Sequence, residues 1–384
     1  MRRTSQRMHS RATLAHRHRH RRRRPTSDGR SRRGLMARAR ITWVDTAKGI
    51  AIILVALAHS VQWTTTAGIA PDSWNEINLL LITFRMPLFF LASGLFAGSV
   101  LTRSWPELWR SRLSLLVWAF LLWSVVRFLF FLVVPNPGGT DESDPLALLL
   151  QPVMPHNGLW FLYALTIFFV AAKLAQGRID WRVQIGIATA IAVVWYAVRS
   201  STSEGTGNIA WDGMARYLMF FLLGLYLRNA VIAFVERRGI LSGVGFGVLF
   251  LVLAGVILAV RARFPLLTIG LVLVSVLAVL AGLVVARFLS NRRGAGWITF
   301  IGRNTLPVYV VHVLFVSLAT STLLLFDGER WLDVIGPVVP LLVCGIGVAA
   351  ALGYWRLTRD LPVLKYGFQA PAWFSGSRSR VDAG

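Results

Sequence analysis

Between residues 43 and 355 the chain carries ten runs of mainly apolar residues, each close to the length that crosses a bilayer as a helix. They lie at about 43–64, 77–101, 113–134, 157–174, 183–199, 214–227, 239–260, 264–286, 299–325 and 334–355, the sixth being the shortest. The spacing predicts an all-α fold: a polytopic integral membrane bundle of about ten transmembrane helices. A hydrophobic content of 55% with only 15% charged residues agrees, because it is far from that of a soluble globular domain. No internal repeat and no second, soluble domain is evident.

The net charge of +24 would suggest a nucleic-acid partner if it covered a soluble surface, but its placement argues otherwise. Fifteen Arg fall in residues 1–40 against the single acid Asp28. That stretch is expected to be a disordered basic tail that meets anionic lipid, with no specific nucleic acid as partner. Met36 would serve equally well as a start. The first apolar run is too long for a secretory signal and is expected to remain as the first span. With the N-terminus inside, the loops after even-numbered spans and the C-terminus hold 17 further Lys and Arg, against four in the opposite loops: Arg199, Arg261, Arg263 and Arg330. Both termini are therefore expected to be cytosolic, residues 358–384 forming a cytosolic C-terminal tail. The opposite loops are acidic, the longest being "PNPGGTDESDP". The lone Cys344 excludes an intramolecular disulfide and a cysteine-based metal cage, and no metal is expected.

Five cations remain within or at the rim of the spans: Lys48, Arg85, Arg127, Arg216 and Arg303. Each is costly against lipid, so they are expected to face a partner or a polar interior; snorkelling or a structural ion pair is the plainer reading of any one of them. Of seven His, four sit in the tail, and His59, His156 and His312 sit at membrane positions. His156 and His312 fit a packing role as well as a functional one. His59 differs through its company in "VDTAKGIAIILVALAHS". Lys48 and His59 are 11 residues apart, about three turns, which puts them on one face about 16 Å apart. Asp45 shares that stripe but lies about 21 Å from His59, so the partner of the imidazole must come from another span or a loop. In "FRMPLFFLASG", Pro87 is expected to kink the span beside Arg85, with Ser93 and Gly94 permitting close packing. In "IGRNTLPVYVVHVLF", Arg303 and Asn304 precede His312 by about 13 Å along one helix, repeating the order of a cation followed by His. No GxSxG, HExxH or Walker A motif is present.

The runs "DTAKGIAIILVALAHS", "FRMPLFFLASGLF", "GLWFLYAL" (which contains Trp160), "FFLLGLYL" and "IGRNTLPVYVVH" resemble, in order, the membrane acyltransferase family 3, the polysaccharide or O-antigen O-acetyltransferases. The likeness is greatest to the fucose 4-O-acetylase-like branch, and residues 41–357 would be its membrane domain. The resemblance implies transfer of an acyl group, often acetyl, from acyl-CoA to a hydroxyl of a glycan, lipid or small molecule in the bacterial plasma membrane. The family's pattern of a basic residue, ten positions and then His falls on Lys48 and His59; many members have Arg at the first place, and many relatives have His at the place of Arg85. These readings give an expected site with His59 as general base and Lys48, Arg85 and Arg303 holding acyl-CoA. Asp45, Ser93, Trp160, Asn304, His312 and His156 are its possible supports. The rival reading is a transporter or flippase of glycan or lipid intermediates, with the buried cations binding an anionic headgroup and His59 relaying protons.

Overall fold

The structure, a computed structural model, describes residues 41–136, 142–202, 206–326 and 330–376. The basic tail and most of the tip of the "PNPGGTDESDP" loop lie outside the described residues. The chain forms helices α1 (Thr42–Thr66), α2 (Ser73–Gly94), α3 (Trp105–Phe131), α4 (Trp160–Ala175), α5 (Trp181–Thr202), α6 (Ile209–Tyr226), α7 (Arg228–Arg237), α8 (Ile240–Val260), α9 (Leu271–Ser290), α10 (Gly296–Arg303), α11 (Thr305–Leu324) and α12 (Val339–Thr358). Among the described residues there is no strand.

Eight of these helices are long and apolar enough to cross a membrane: α1, α2, α3, α5, α8, α9, α11 and α12. The fourth and sixth runs depart from that pattern. Helix α4 has only 16 residues, and α6 bends by 81° into α7, so the pair gives at most a ninth span. Bending at Leu227 turns Arg228 and Arg237 off the axis of the apolar run.

Helix α1 is the hub. It packs against α2, α9, α10, α11 and α12, and 67% of its apolar window is buried, against 17% for α5 and for α8, which stand at the periphery. Small residues allow the closest crossings. Between α2 and α6, a Cβ on Gly94 would strike the carbonyl of Phe221, and one on Gly224 the carbonyl of Leu91. Gly49 of α1 seats against the Ile298 carbonyl of α10, and Gly302 of α10 against the Asp45 carbonyl of α1, so these two segments pair in antiparallel order.

One expectation drawn on a continuous helix changes here, at the ninth run. Helix α2 runs unbroken through Pro87, packed against α1 and α6. The ninth run is not one helix: it breaks at Asn304, whose amide caps the Phe300 carbonyl at 2.8 Å. Beyond α12 the chain folds back along α3. The indole nitrogens of Trp118 and Trp123 donate to the carbonyls of Tyr366 and Gly367, both at 2.7 Å, and Trp109 donates to Phe374 at 3.2 Å.

Candidate functional site

About two turns before the end of α1, the His59 ring lies between Trp63 and His312, with ring centroids 5.5 and 5.3 Å away. Gln62, three residues on, hydrogen bonds the same imidazole. His312 comes from α11, where its Nδ1 lies 2.7 Å from the Val308 carbonyl. That contact requires the proton on Nδ1, leaving Nε2 of His312 as an acceptor.

The third wall is Arg127 of α3, which is 1% exposed. Its guanidinium is held by both carboxylate oxygens of Glu142: Nε donates at 2.7 Å, and Nη2 donates to Oε1. A fork-to-fork pair of this kind is the arrangement in which burying two charges is tolerable. Glu142 enters from the acidic loop after α3, so a loop residue neutralises a cation placed deep in a span. The backbone at Gly158 closes the site. A Cβ there would lie 3.5 Å from Cε1 of His59 and 3.6 Å from both terminal nitrogens of Arg127, so the absent side chain leaves the imidazole and the guanidinium facing one gap. Tyr309 fixes this turn by donating to the Gly158 carbonyl at 2.6 Å and accepting from the Phe161 amide at 3.1 Å. Asn157 adds a bond to Ser124 at 3.3 Å.

Buried polar atoms are nearly always hydrogen bonded, so the exceptions are informative. Among the described residues, three of the atoms without a partner belong to these neighbouring side chains: Nδ1 of His59, Nη1 of Arg127 and Nε2 of His312. Beside them a polar recess of about 330 Å³ is lined by Gln62, Thr65, Thr66, Asp72, Asn75 and Asn78. Asn78 also receives Arg85, whose Nη1 donates to its Oδ1 at 2.6 Å. Arg85 therefore belongs with the His59 end of the molecule.

The other expected residues are distributed differently. At the opposite end of α1, Lys48 lies 4.5 Å above the Phe96 ring and Arg303 pairs with the buried Asp45 at 3.4 Å. Arg85 thus stands apart from Lys48 and Arg303, with which it was grouped in the reading of the sequence. Ser93 bonds back to the Phe89 carbonyl at 2.9 Å. Trp160 is buried against Gly213 and stacks on Tyr217 at 6.2 Å, which makes it a packing residue of the α2–α4–α6 contact. His156 sits at 3.3 Å from the Gln151 amide, two residues before the Gly158 gap. Sequence reasoning did not assign roles to Glu142, Gly158, Tyr309 and Gln62. A signal existed for Glu142: the span of Arg127 runs directly into the acidic loop that carries it.

A family model described as an acyltransferase domain matches residues 41–355. The chain is similar to the inner membrane protein YcfT of Escherichia coli strain K12, 24% identical over 333 residues that cover 79% of this chain and 90% of that protein. It is also similar to the nodulation protein NolL of Mesorhizobium japonicum, 28% identical over 163 residues that cover 41% of this chain and 42% of that protein. No solved structure matches. With an apolar helical bundle and a family match across most of its length, the chain belongs to the membrane acyltransferase family 3 and is a multi-pass membrane acyltransferase.

Proposed function

We propose that the protein moves an acyl group, in the first instance acetyl, from acyl-CoA to a hydroxyl of a glycan, lipid or small molecule, with His59 as the general base. The observation that carries this reading is that His59 and Arg127, each with an unpartnered buried nitrogen, both border the Gly158 gap, with the His312 ring, also carrying one, packed 5.3 Å from that of His59. Nδ1 of His59 takes the hydroxyl proton as the oxygen attacks the thioester carbonyl, and the C=O electron pair moves onto oxygen. Nη1 of Arg127 faces the developing oxyanion, its charge held in place by Glu142 rather than reorganised during the reaction. On collapse the C–S bond breaks, the sulfur leaves with its electron pair, and the imidazolium returns the proton to it. Tyr309 and Asn157 position the gap, and the polar recess beside Gln62 gives the acceptor a path to the ring.

The donor approaches from the other end of α1. Lys48 is half-buried and the Arg303 side chain is 46% exposed, so both can meet the phosphates of CoA at the membrane surface. The pantetheine arm then spans the offset of about 16 Å to His59. In this reading the Lys48 end faces the cytosol and the chain sits in the bacterial inner membrane. Arg85 is assigned to the acceptor side rather than to the donor. The test is transfer from radiolabelled acetyl-CoA by purified protein to a panel of membrane glycans and lipids. His59→Gln and His59→Ala are expected to remain folded and to lose transfer; wild-type rates from either would remove His59 from the mechanism.

A further inference from the structure

We infer that His312 is a positioning residue for the acyl transfer: the lone pair on its Nε2 accepts a hydrogen bond from Nδ1 of His59 while His59 holds the proton taken from the hydroxyl. The inference rests on the proposed role of His59 as general base. It names a partner on another helix, which Asp45, about 21 Å away along α1, cannot be.

Each imidazole has one nitrogen engaged and one not. Nδ1 of His312 donates to the Val308 carbonyl, one turn back on α11, so its Nε2 carries a lone pair and no proton. In His59 the bond with Gln62 falls on Nε2, because Nδ1 has no partner. The two remaining nitrogens are buried, and they belong to rings packed 5.3 Å apart at a tilt of 47°. While both rings are neutral, each of these nitrogens offers only a lone pair and the two cannot bond. Once Nδ1 of His59 takes the hydroxyl proton it becomes a donor, and Nε2 of His312 is the complementary acceptor.

The charges around His59 favour such an acceptor. Among the described residues, the charged side chains that act on its ring are two cations, Arg127 of α3 and Arg85 of α2. Glu142, the carboxylate that enters this region, has both oxygens engaged by Arg127. The imidazolium is therefore served by neutral acceptors, Gln62 at Nε2 and His312 at Nδ1.

A packing role accounts for less. It explains the bond from Nδ1 of His312 to its own helix, but it leaves Nε2 unsatisfied in a side chain only 1% exposed, where an apolar residue would fill the space without an orphaned acceptor. The placement of His312 is also specific. Tyr309, one turn earlier on α11, fixes the Gly158 turn that borders His59. Gly347 lets α12 close on the same turn of α11, where an added Cβ would lie 3.4 Å from the His312 carbonyl.

The test separates the two nitrogens of His312. The amide of Gln reaches about as far as Nε2 and presents an acceptor there, whereas that of Asn reaches only as far as Nδ1 and keeps the donation to Val308. Wild type, His312→Gln and His312→Asn are compared in transfer from radiolabelled acetyl-CoA and in unfolding in detergent. His312→Asn should unfold at the wild-type midpoint yet lose about 10- to 100-fold in kcat, the scale of one hydrogen bond to a charged group, with KM for acetyl-CoA unchanged. His312→Gln should recover most of that loss. Full rate from His312→Asn, or equal losses in both variants, would overturn the role and leave a packing residue.

A second measurement needs no acyl acceptor. In nitrogen NMR spectra of protein with isotope-labelled histidine, assigned with His59→Gln and His312→Gln, protonation of His59 should displace the Nε2 resonance of His312 in the same step. An Nε2 resonance unmoved through that step would overturn the pairing. Joint movement together with wild-type transfer by His59→Gln would keep the hydrogen bond and remove its part in transfer, so failure of the general base is separable from failure of the pair.

Discussion

Arg127 and Glu142 are the residues on which the site depends most. Their pair is fully withdrawn from solvent, and removing one partner leaves an uncompensated charge in the bundle. Glu142→Ala is therefore expected to cost about 3–5 kcal/mol, seen as a lower unfolding midpoint in detergent. Replacing both, Arg127→Met with Glu142→Met, should recover most of that stability without recovering acyl transfer. A double variant that transfers at the wild-type rate would assign the pair to stability alone. Gly158 gives a finer probe. An added methyl would meet His59 and Arg127 at ordinary contact distance, so Gly158→Ala should fold with stability within about 1 kcal/mol of wild type while slowing transfer. At this scale the chain's own order disclosed the buried cations and His59, since charge inside an apolar run is conspicuous. It could not disclose that Glu142, Gly158 and Tyr309 converge on them, because they come from a loop, a turn and a helix whose packing against α1 and α3 no local pattern encodes.

At the scale of elements, the decisive contacts are crossings where backbone meets backbone. Gly94 and Gly224 approach each other's helices so closely that either Cβ would fall on a carbonyl, which no rotamer change can relieve. Gly94→Ala or Gly224→Ala should separate α2 from α6 at a cost of about 1–3 kcal/mol, read as reduced thermal stability. The same reasoning applies to Gly49 and Gly302 between α1 and α10, where separation would also loosen the Asp45–Arg303 pair. Hydrophobic runs announced these helices because apolar length is a local property. They did not announce where a helix ends inside a run. The break at Asn304 follows from an amide that caps its own chain and from the antiparallel seating of α10 on α1. The short α4 begins where Asn157 and Tyr309 anchor the preceding turn.

Across the whole molecule, α1 works as an axis with different chemistry at its two ends: Lys48 with the Asp45–Arg303 pair at one, His59 with His312 and Arg127 at the other. Lys48→Ala should weaken acyl-CoA binding while leaving the fold intact, measurable by titration calorimetry; an unchanged affinity would move the donor elsewhere. The C-terminal segment has an architectural part that loop charge alone did not suggest, since three indoles of α3 bind its carbonyls. Trp118→Phe and Trp123→Phe together should lower stability by about 1–3 kcal/mol, two modest hydrogen bonds, with a smaller effect on transfer. The sequence by itself determined the medium and the material: apolar runs of spanning length compel helices in lipid, and the few charges inside them mark where function can reside. The Lys48–His59 offset was equally local, because both residues ride on one helix of fixed rise. Only the tertiary structure decided which buried groups share a gap, for ion pairs, glycine crossings and opposed imidazoles depend on contacts between segments whose register no local periodicity encodes.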